Sequence, residues 1–216
     1  MKPDTRTNVS VSPCLLMGLA LVIFFFLKGT AWSGFDLDGM KLPPGFTVTT
    51  YVTGAGFDPD RGQNARGIPA IVTLTFDPRG YLWIGSDGPH HTPHRDGSGR
   101  IYRAFLSDGE LQLVHSGPLP SGMSLSPGGN LFVAQRRSGK IFVLTPEGRR
   151  VEFASFTGGS ALRTLVFPPV TRETQKAGIA GDLFVVVFLM LDYPAREVIR
   201  ISGPFDAYVK EASRGR

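Results

Sequence analysis

Cysteine is almost missing from this sequence. Its 216 residues include a single cysteine, Cys14, which lies inside an apolar run near the N terminus. The remainder of the chain therefore has no disulfide and no thiol chemistry. Packing, hydrogen bonds and other side chains must supply both the stability and any catalysis of that part.

Concentrated charge and long helical periodicity are missing as well. The formal net charge is +5, and three of the 23 basic residues and one of the 18 acidic residues precede Gly34. The remaining charges are scattered, mostly in turns, and no basic stripe is interleaved with aromatic residues, which argues against nucleic-acid binding. The 27 glycines and 17 prolines are instead typical of a turn-rich β protein with one core.

An apolar run occupies residues 14–27, with Lys2 and Arg6 before it and Lys28 after it. This order is typical of a secretory signal, and the run is short for a membrane-spanning helix, which needs roughly 20 apolar residues. We therefore expect residues 1–33 to be a signal peptide, with a retained signal anchor as the alternative. Both interpretations place residues 34–216 outside the cytoplasm, periplasmic or secreted, with membrane contact only through the N-terminal segment.

An internal repeat organises the rest of the chain. Residues 74–103 have the pattern of strand, tight turn, strand, long loop and strand, and residues 123–143 repeat it 49 positions later. Residues 165–201 form a looser copy. A repeat of this length built from short strands indicates a radial or stacked β array, in which each unit buries its faces against its neighbours.

The repeat predicts an all-β fold, a partial β-propeller of about three to four four-stranded antiparallel blades. We expect the first two blades to use strands at residues 71–76, 81–85, 100–106, 110–116, 123–125, 131–134, 140–144 and 149–156. The third would use residues 163–167, 183–189 and 197–201, with a poorly formed fourth strand near 207–209. A further strand over residues 46–52 would precede the first blade.

Three blades and one N-terminal strand fall short of the roughly four to eight blades of closed propellers. Either the chain is part of a larger or paired propeller, or a fourth blade is assembled from the N-terminal strand and the tail. An open arrangement would leave sheet faces and edges exposed, which favours self-association.

The connections between second and third strands differ most between the repeats, which makes them the candidate site. The connection from Leu82 to Ile101 spans 19 residues, against 10 and 16 for residues 131–141 and 183–199. It contains three of the four histidines, and long loops in a compact domain are either functional or mobile. Imidazoles beside carboxylates suit a general base or a metal site. We therefore expect His91 and His94 to be catalytic and Asp87, His90 and Asp96 to hold a metal, the alternative being a mobile loop with incidental histidines.

Basic and amide side chains are predicted at the same end of the propeller. Arg136 and Arg137 occupy the equivalent, shorter connection of the second blade, and Asn64 and Arg66 lie in the loop that leads into the first. Guanidinium groups bind anions in a fork geometry, so we expect these four residues to bind a cofactor. The alternative is that they are solvated turn residues.

Three segments give the chain its resemblance to a known family. Residues 42–46 (LPPGF) with the strand pattern after them, the blade signature FDPRGYLWI at residues 76–84, and residues 181–201 together resemble the extracytoplasmic glucose and sorbosone dehydrogenases. The blade signature is also shared with gluconolactonase-type and NHL-type propellers. No single residue here matches the family's catalytic histidine or calcium ligands, and the chain is too short for its six blades.

The resemblance implies a quinone-dependent oxidoreductase that acts on a sugar or alcohol and uses PQQ and calcium. Two other functions stay open at this point: a propeller without catalytic activity that binds a carbohydrate, a metal or a protein, and a metal-dependent lactonase.

Overall fold

The structure, a computed structural model, describes residues 42–49, 51–52, 68, 70–88, 98–104, 111–156, 160–189 and 196–214. The predictions made for the N-terminal segment lie outside these residues. So do those made for His90, His91, His94 and Asp96, and for Asn64 and Arg66.

Among the described residues, eleven strands form three antiparallel sheets in chain order. Sheet 1 contains β1 (Ile71–Phe76), β2 (Leu82–Ser86), β3 (Gly99–Ala104) and β4 (Leu111–Gly117). Sheet 2 contains β5 (Pro120–Leu125), β6 (Leu131–Gln135), β7 (Lys140–Leu144) and β8 (Arg150–Ser155). Sheet 3 contains β9 (Ser160–Val166), β10 (Leu183–Leu189) and β11 (Arg196–Ile201).

The first strands of the three sheets, β1, β5 and β9, lie beside one another in the order β1, β5, β9. Within each sheet the following strands pair in sequence, so every sheet is an up-and-down meander that starts at this inner row. Repeated meanders arranged in this way are the blades of a β-propeller. The predicted fold class, an all-β partial propeller, is therefore confirmed.

Two apolar layers hold the three sheets together. Period-2 alternation sends successive side chains of a strand to opposite faces, so each sheet can pack against both neighbours. The layer between sheets 1 and 2 is built from Trp83, Ile101, Met123, Leu131, Val133, Phe142 and Leu144. The layer between sheets 2 and 3 is larger and includes Phe132, Ala134, Ile141, Val143, Leu162, Leu165, Leu183, Val185 and Val187.

A glycine allows the inner strands of sheets 2 and 3 to approach closely. A Cβ atom on Gly122 in β5 would lie 2.8 Å from the carbonyl oxygen of Arg163 and 2.8 Å from Cα of Thr164, both in β9. Contacts under about 3 Å are not tolerated by a side chain when the neighbour is backbone. Beside it, Ser121 donates a hydrogen bond to the carbonyl oxygen of Leu162 at 2.6 Å.

In the part of the chain that the structure describes, two short helices interrupt the strand pattern. Helix α1 (Arg172–Lys176) lies in the connection from β9 to β10 and begins with a capping box between Thr171 and Thr174. Helix α2 (Phe205–Arg214) follows β11.

The fourth strand predicted near residues 207–209 is wrong, because α2 occupies this position. Phe205 and Val209, four residues apart, lie on one face of the helix and are buried. They close the apolar layer between sheets 2 and 3, with Ala212 partly buried against it. A spacing of four or three residues is the helical period, and it conflicts with the alternation that a strand needs.

The carboxylate of Asp206 fixes α2 to the β5–β6 turn. It accepts hydrogen bonds from the backbone N–H of Gly128 at 2.9 Å and from the side-chain amide of Asn130 at 2.7 Å. The hydroxyl of Ser126 donates to the same carboxylate at 2.5 Å. The helix is thus held by both apolar packing and a charged cap on the turn.

The predicted strand over residues 46–52 is also wrong, since none of the described residues in this range belongs to a strand. Val52 nevertheless packs on the outer face of sheet 1, together with Ile68.

No helix in the described part of the chain is long and apolar enough to cross a membrane.

Candidate functional site

The sheets have two chemically different ends. The tight β1–β2 and β5–β6 turns lie at one end, which we call the turn end. The β2–β3, β4–β5 and β6–β7 connections leave the opposite end, which we call the loop end. The sequence-based site was predicted at the loop end.

An ion pair joins neighbouring sheets at the loop end. Asp87 directly follows β2 and Arg136 directly follows β6, and Nη1 of Arg136 lies 2.6 Å from Oδ2 of Asp87. The backbone N–H of Arg136 also donates to the carbonyl oxygen of Leu119, in the β4–β5 connection, at 3.0 Å. Three connections from two sheets therefore meet at Arg136.

A cleft of about 250 Å³ opens beside this ion pair. Its walls come from the β4–β5 connection, the β6–β7 connection and the adjoining strands: Pro118, Leu119, Gln135, Arg136, Arg137, Ser138, Lys140 and Arg150. We call it the basic cleft, because four of these residues are cationic and none of the described residues that line it is acidic. A concave surface lined by charges of one sign concentrates the field that attracts counter-ions.

Arg150 reaches the basic cleft from the far end of its strand. It begins β8 opposite Leu144, at the turn end, and its guanidinium carbon lies 4.6 Å from the ring centroid of Phe142. Its guanidinium forms an ion pair with Glu152. The side chain therefore extends along the sheet over an aromatic ring, a contact that orients the guanidinium group.

His115, in β4, lies against the same ring of Phe142, with 5.3 Å between the two ring centroids. Burial lowers the pKa of His115 from its ordinary value of 6.5, and the positive charge of Arg150 lowers that pKa further. The imidazole is therefore predominantly neutral at pH 7. Its buried Nε2 makes no hydrogen bond within the described part of the chain.

Gln135 is a buried wall residue of the basic cleft. Its Oε1 accepts a hydrogen bond from the hydroxyl of Ser138 at 2.5 Å. Its Nε2 is buried and finds no acceptor among the residues that the structure describes. An unsatisfied buried donor costs roughly 1–3 kcal/mol, so an acceptor atom that reached this amide would be favoured.

A second cleft, of about 280 Å³, lies at the turn end, and several of its polar side chains make contacts within the chain. Asp77 accepts hydrogen bonds from the backbone of Tyr81 at 3.0 Å and from the indole of Trp83 at 3.3 Å. Arg103 lies over the rings of both aromatic residues and donates to Gln112 at 2.7 Å. These contacts stabilise the turn, and they leave the basic cleft as the better candidate for a ligand.

Three of the predicted site residues are described, and they lie at one end. Asp87 and Arg136 form the ion pair, and Arg137 lines the basic cleft. The six other predicted site residues, including all three histidines of the long connection, lie outside the described residues. Among the described residues, no group of three His, Cys, Asp or Glu side chains is placed to hold a metal ion.

The sequence analysis did not identify Gln135, Lys140 or Arg150 as site residues. All three lie in strands, whereas the candidate site was predicted from the connections between strands. Gln135 directly precedes the predicted Arg136, and Lys140 follows Arg137 by three residues, at the start of the next strand. Arg150 and His115 come together only through the register and stacking of the sheets, for which the sequence carries no local signal.

No protein-family profile and no curated protein matches the chain. Solved structures to which it is similar include virginiamycin B lyase from Staphylococcus aureus, with 18% identity, a TM-score of 0.37, and coverage of 62% of this chain and 42% of that one. A gluconolactonase-like protein gives 16% identity, a TM-score of 0.42, and coverage of 65% of this chain and 50% of that one. A 6-phosphogluconolactonase-like protein from Bacteroides uniformis gives 14% identity, a TM-score of 0.29, and coverage of 67% of this chain and 60% of that one.

These neighbours are β-propeller proteins, and the chain spans between about two fifths and three fifths of their length. No comparison shows membership of the glucose and sorbosone dehydrogenase family, so that resemblance stays a prediction. What the comparisons and the sheets have in common is the propeller fold.

Proposed function

We propose that this chain is an exported ligand-binding β-propeller module, and that its basic cleft takes a small anionic ligand of the sugar-acid class. The observation that carries the proposal is the cleft itself: four cationic side chains surround a concave site, and no acidic residue is among its described lining residues. Its volume of about 250 Å³ lies just below the ~300–1,000 Å³ of pockets for drug-sized ligands, which favours a small molecule. Export is supported by the apolar run at residues 14–27.

The charge balance of the cleft favours an anion. Asp87 neutralises part of the charge of Arg136 and Glu152 part of that of Arg150, both from outside the lining. Lys140 adds a further positive charge to the walls, and Arg137 lines the same cleft. Hydrogen bonds from such groups to a carboxylate are charge-assisted and roughly twice as strong as neutral ones.

Titration calorimetry with a matched pair of probes tests the proposal on the full chain in mild detergent. Gluconate and glucose are similar in size and hydroxyl content, and only gluconate carries a carboxylate. We expect gluconate to bind more tightly than glucose, and its affinity to fall as ionic strength rises. Equal affinity for the two probes, or gluconate binding that ignores salt, would contradict the proposal.

Paired variants show whether the basic cleft is responsible. The double variant Arg137→Gln, Lys140→Gln should bind gluconate at least about a hundredfold more weakly, since each lost hydrogen bond to a charged group costs roughly 1.5–3 kcal/mol. Arg172→Gln, Lys176→Gln removes the same charges from the exposed helix α1 and should leave the affinity unchanged. The same loss in both double variants would show that overall charge, and not the cleft, attracts the anion.

Oxidation of a sugar or alcohol is a second candidate. The observation that favours it is the position of Asp87. This residue begins the connection that contains His90, His91 and His94, and it forms an ion pair with Arg136 in the wall of the basic cleft. PQQ is an anionic quinone with several carboxylates, which fits a cationic cleft, and when bound it supplies an acceptor for the hydride of the substrate carbon. In this reaction His91 or His94 takes the hydroxyl proton as the carbonyl forms.

The described part of this site supplies one carboxylate that could contribute to a calcium site. Oδ2 of Asp87 pairs with Arg136, its buried Oδ1 has no hydrogen-bond partner among the described residues, and these residues bring no second carboxylate to it. The candidate reaction is therefore tested with PQQ both with and without added calcium, by reduction of a dye with glucose as substrate. Loss of dye reduction in His91→Asn and His94→Asn, with gluconate binding kept, would support it. No activity in the wild-type protein would rule it out and leave the binding proposal standing.

Metal-dependent hydrolysis of a sugar lactone is the remaining candidate. Water and a lactone give a hydroxy acid, which is the class of ligand that the basic cleft favours. Asp87, His90 and Asp96 are the residues predicted to hold the metal. Hydrolysis of gluconolactone, followed by acid release with calcium and with a chelator, separates this reaction from oxidation.

A further inference from the structure

The second strand of every sheet begins with the same pair of residue types. Leu82 and Trp83 begin β2, Leu131 and Phe132 begin β6, and Leu183 and Phe184 begin β10. Because neighbours in a strand point to opposite faces, the leucine marks one face of each sheet and the aromatic residue the other. We call these the leucine face and the aromatic face.

The molecule uses these faces in one fixed order. The aromatic face of sheet 1, with Trp83, packs on the leucine face of sheet 2, with Leu131. The aromatic face of sheet 2, with Phe132, packs on the leucine face of sheet 3, with Leu183. The same kind of contact, aromatic face on leucine face, is therefore built twice.

The aromatic face of sheet 3 has no following sheet among the described residues. Phe184 lies in register with Val166, and Val186 with Val198, so these four apolar side chains share the face. Val198 is 69% exposed and Val166 is exposed as well, whereas Trp83 and Phe132 at the equivalent aromatic position are buried. Large exposed apolar side chains in one patch are typical of an interaction surface.

The leucine face of sheet 1 is open at its inner strand. Leu82 and Ile84 are buried there, with Val52 and Ile68 packed nearby. Leu74 and Phe76 share that face, since they lie opposite Ile84 and Leu82, yet both are exposed, Leu74 to 59%. Within the described residues, the aromatic face of sheet 3 is thus unpaired and the leucine face of sheet 1 is partly unpaired.

We propose that a second copy of this chain supplies both missing partners. The aromatic face of sheet 3 in each copy stacks on the leucine face of sheet 1 in the other, which repeats the contact that the molecule already makes twice. Two copies contribute six sheets, within the range of roughly four to eight blades that close a propeller ring. The contact joins two different surfaces, and such contacts give a closed assembly only when the rotation returns to the start.

A ring of two copies in which unlike faces meet fits better than a dimer in which two aromatic faces meet. Pairing two aromatic faces of sheet 3 would bring Val198 of each copy together and leave Leu74 and Phe76 exposed on both. The two-copy ring covers all of them. It also puts both basic clefts at the same end of the ring, because the loop ends of all six sheets then point the same way. The inference does not depend on which ligand the cleft binds.

The mass of the full chain in mild detergent, measured by light scattering after size-exclusion chromatography and corrected for detergent, tests the proposal. We expect two copies for the wild-type protein, and a shift to one copy for Val198→Asp and for Leu74→Asp. Val170→Asp is the matched control, since Val170 is 54% exposed but lies in the β9–α1 connection, outside both faces. It should keep the wild-type mass. Thermal melting by circular dichroism shows that each variant is folded.

Mixing the two disrupted variants tests the order of the faces. A pair made of one Val198→Asp copy and one Leu74→Asp copy keeps one intact contact, because each variant retains the face that the other lacks. We therefore expect the mixture to recover part of the two-copy population, which neither variant forms alone. A single-copy wild type at all concentrations, a dimer that survives Leu74→Asp, or open polymers larger than two copies would each overturn the proposal.

Discussion

Asp87 and Arg136 occupy the same place in two successive sheets and form an ion pair across the boundary between them. They are 49 positions apart, which is the period of the repeat, and Oδ2 of Asp87 lies 2.6 Å from Nη1 of Arg136. A position that is acidic in one blade and basic in the next thus links the long connection of sheet 1 to the wall of the basic cleft in sheet 2.

The two halves of this ion pair should contribute unequally to stability. The side chain of Asp87 is 14% exposed and that of Arg136 is 31% exposed. Arg136→Ala leaves a nearly buried carboxylate without its partner and should lower the free energy of unfolding by about 3 kcal/mol. Asp87→Ala leaves a guanidinium that can reach water, and should cost about 1 kcal/mol.

Denaturant titration of both variants and of the double variant measures this difference. The double variant should cost less than the sum of the two single variants, because the second truncation removes the group that the first left unpaired. Equal single costs that add without coupling would show that the ion pair is a surface contact of little consequence.

Neutral His115 predicts a pH dependence of stability. Its pKa is lowered in the folded state, first by burial and then by Arg150, from an ordinary value of 6.5 in the unfolded chain. The unfolded state therefore binds the proton more readily, and protonation favours unfolding. The resulting contribution to stability is fully present above pH 6.5 and is lost as the pH falls from there through the lower folded-state pKa.

Comparison with His115→Leu isolates this contribution. The other histidines are present in both proteins, so the difference in unfolding free energy between them, followed from pH 8 to pH 5, reports on His115. We expect the wild-type protein to lose more stability than the variant as the pH falls. Parallel pH profiles would show that His115 titrates alike in the folded and unfolded states.

The blades were predictable from the sequence because their signals are local. Short apolar runs in β2 and β6, and turn residues such as Asp77 and Gly80, specify strand and turn without knowledge of any other sheet. The loop end was predictable for the same reason, since Arg136 follows its strand as Asp87 follows the equivalent one.

The parts that were missed depend on contacts between distant segments. Arg150 joins the basic cleft only because β7 and β8 pair in one register and its side chain then lies over Phe142. No signal for this contact is present in the few residues around Arg150. Helix α2 is different: the helical spacing of Phe205 and Val209 is local, but the repeat predicted a fourth strand at this place.

Gly122 should be among the least replaceable residues of the inner strands. Its missing side chain lets β5 approach β9, and an added Cβ would lie 2.8 Å from backbone atoms of Arg163 and Thr164. Because the neighbouring atoms are backbone, Gly122→Ala must separate the strands, at a cost of about 1–3 kcal/mol or more for overpacking.

Gly203→Ala serves as the control for that variant, since no atom lies within 4 Å of a Cβ at this position and its backbone is not in the left-handed region. It should change the unfolding free energy little. Thermal melting of the two variants side by side measures the contrast. A melting temperature for Gly122→Ala equal to that of the control would mean that the inner strands separate without cost.

Substitutions at Asp206 and Gly128 should be coupled in their effects on stability. In sheet 1 the carboxylate of Asp77 accepts the backbone N–H of Arg79 at 2.8 Å, but the equivalent residue in sheet 2 is Ser126, and Asp206 of α2 supplies the carboxylate to the N–H of Gly128 instead. A Cβ on Gly128 would lie 2.5 Å from the carboxyl carbon of Asp206. Glycine is therefore needed there only because the helix is docked.

Gly128→Ala should thus destabilise the wild-type protein by displacing the carboxylate, at a cost of about 1–3 kcal/mol for the hydrogen bonds that it breaks. In an Asp206→Ala background the clash and those hydrogen bonds are already gone, so the same glycine substitution should cost almost nothing. Urea denaturation of the four proteins gives the coupling energy. If Gly128→Ala costs the same in both backgrounds, the close approach of Asp206 to the β5–β6 turn does not contribute to holding α2 in place.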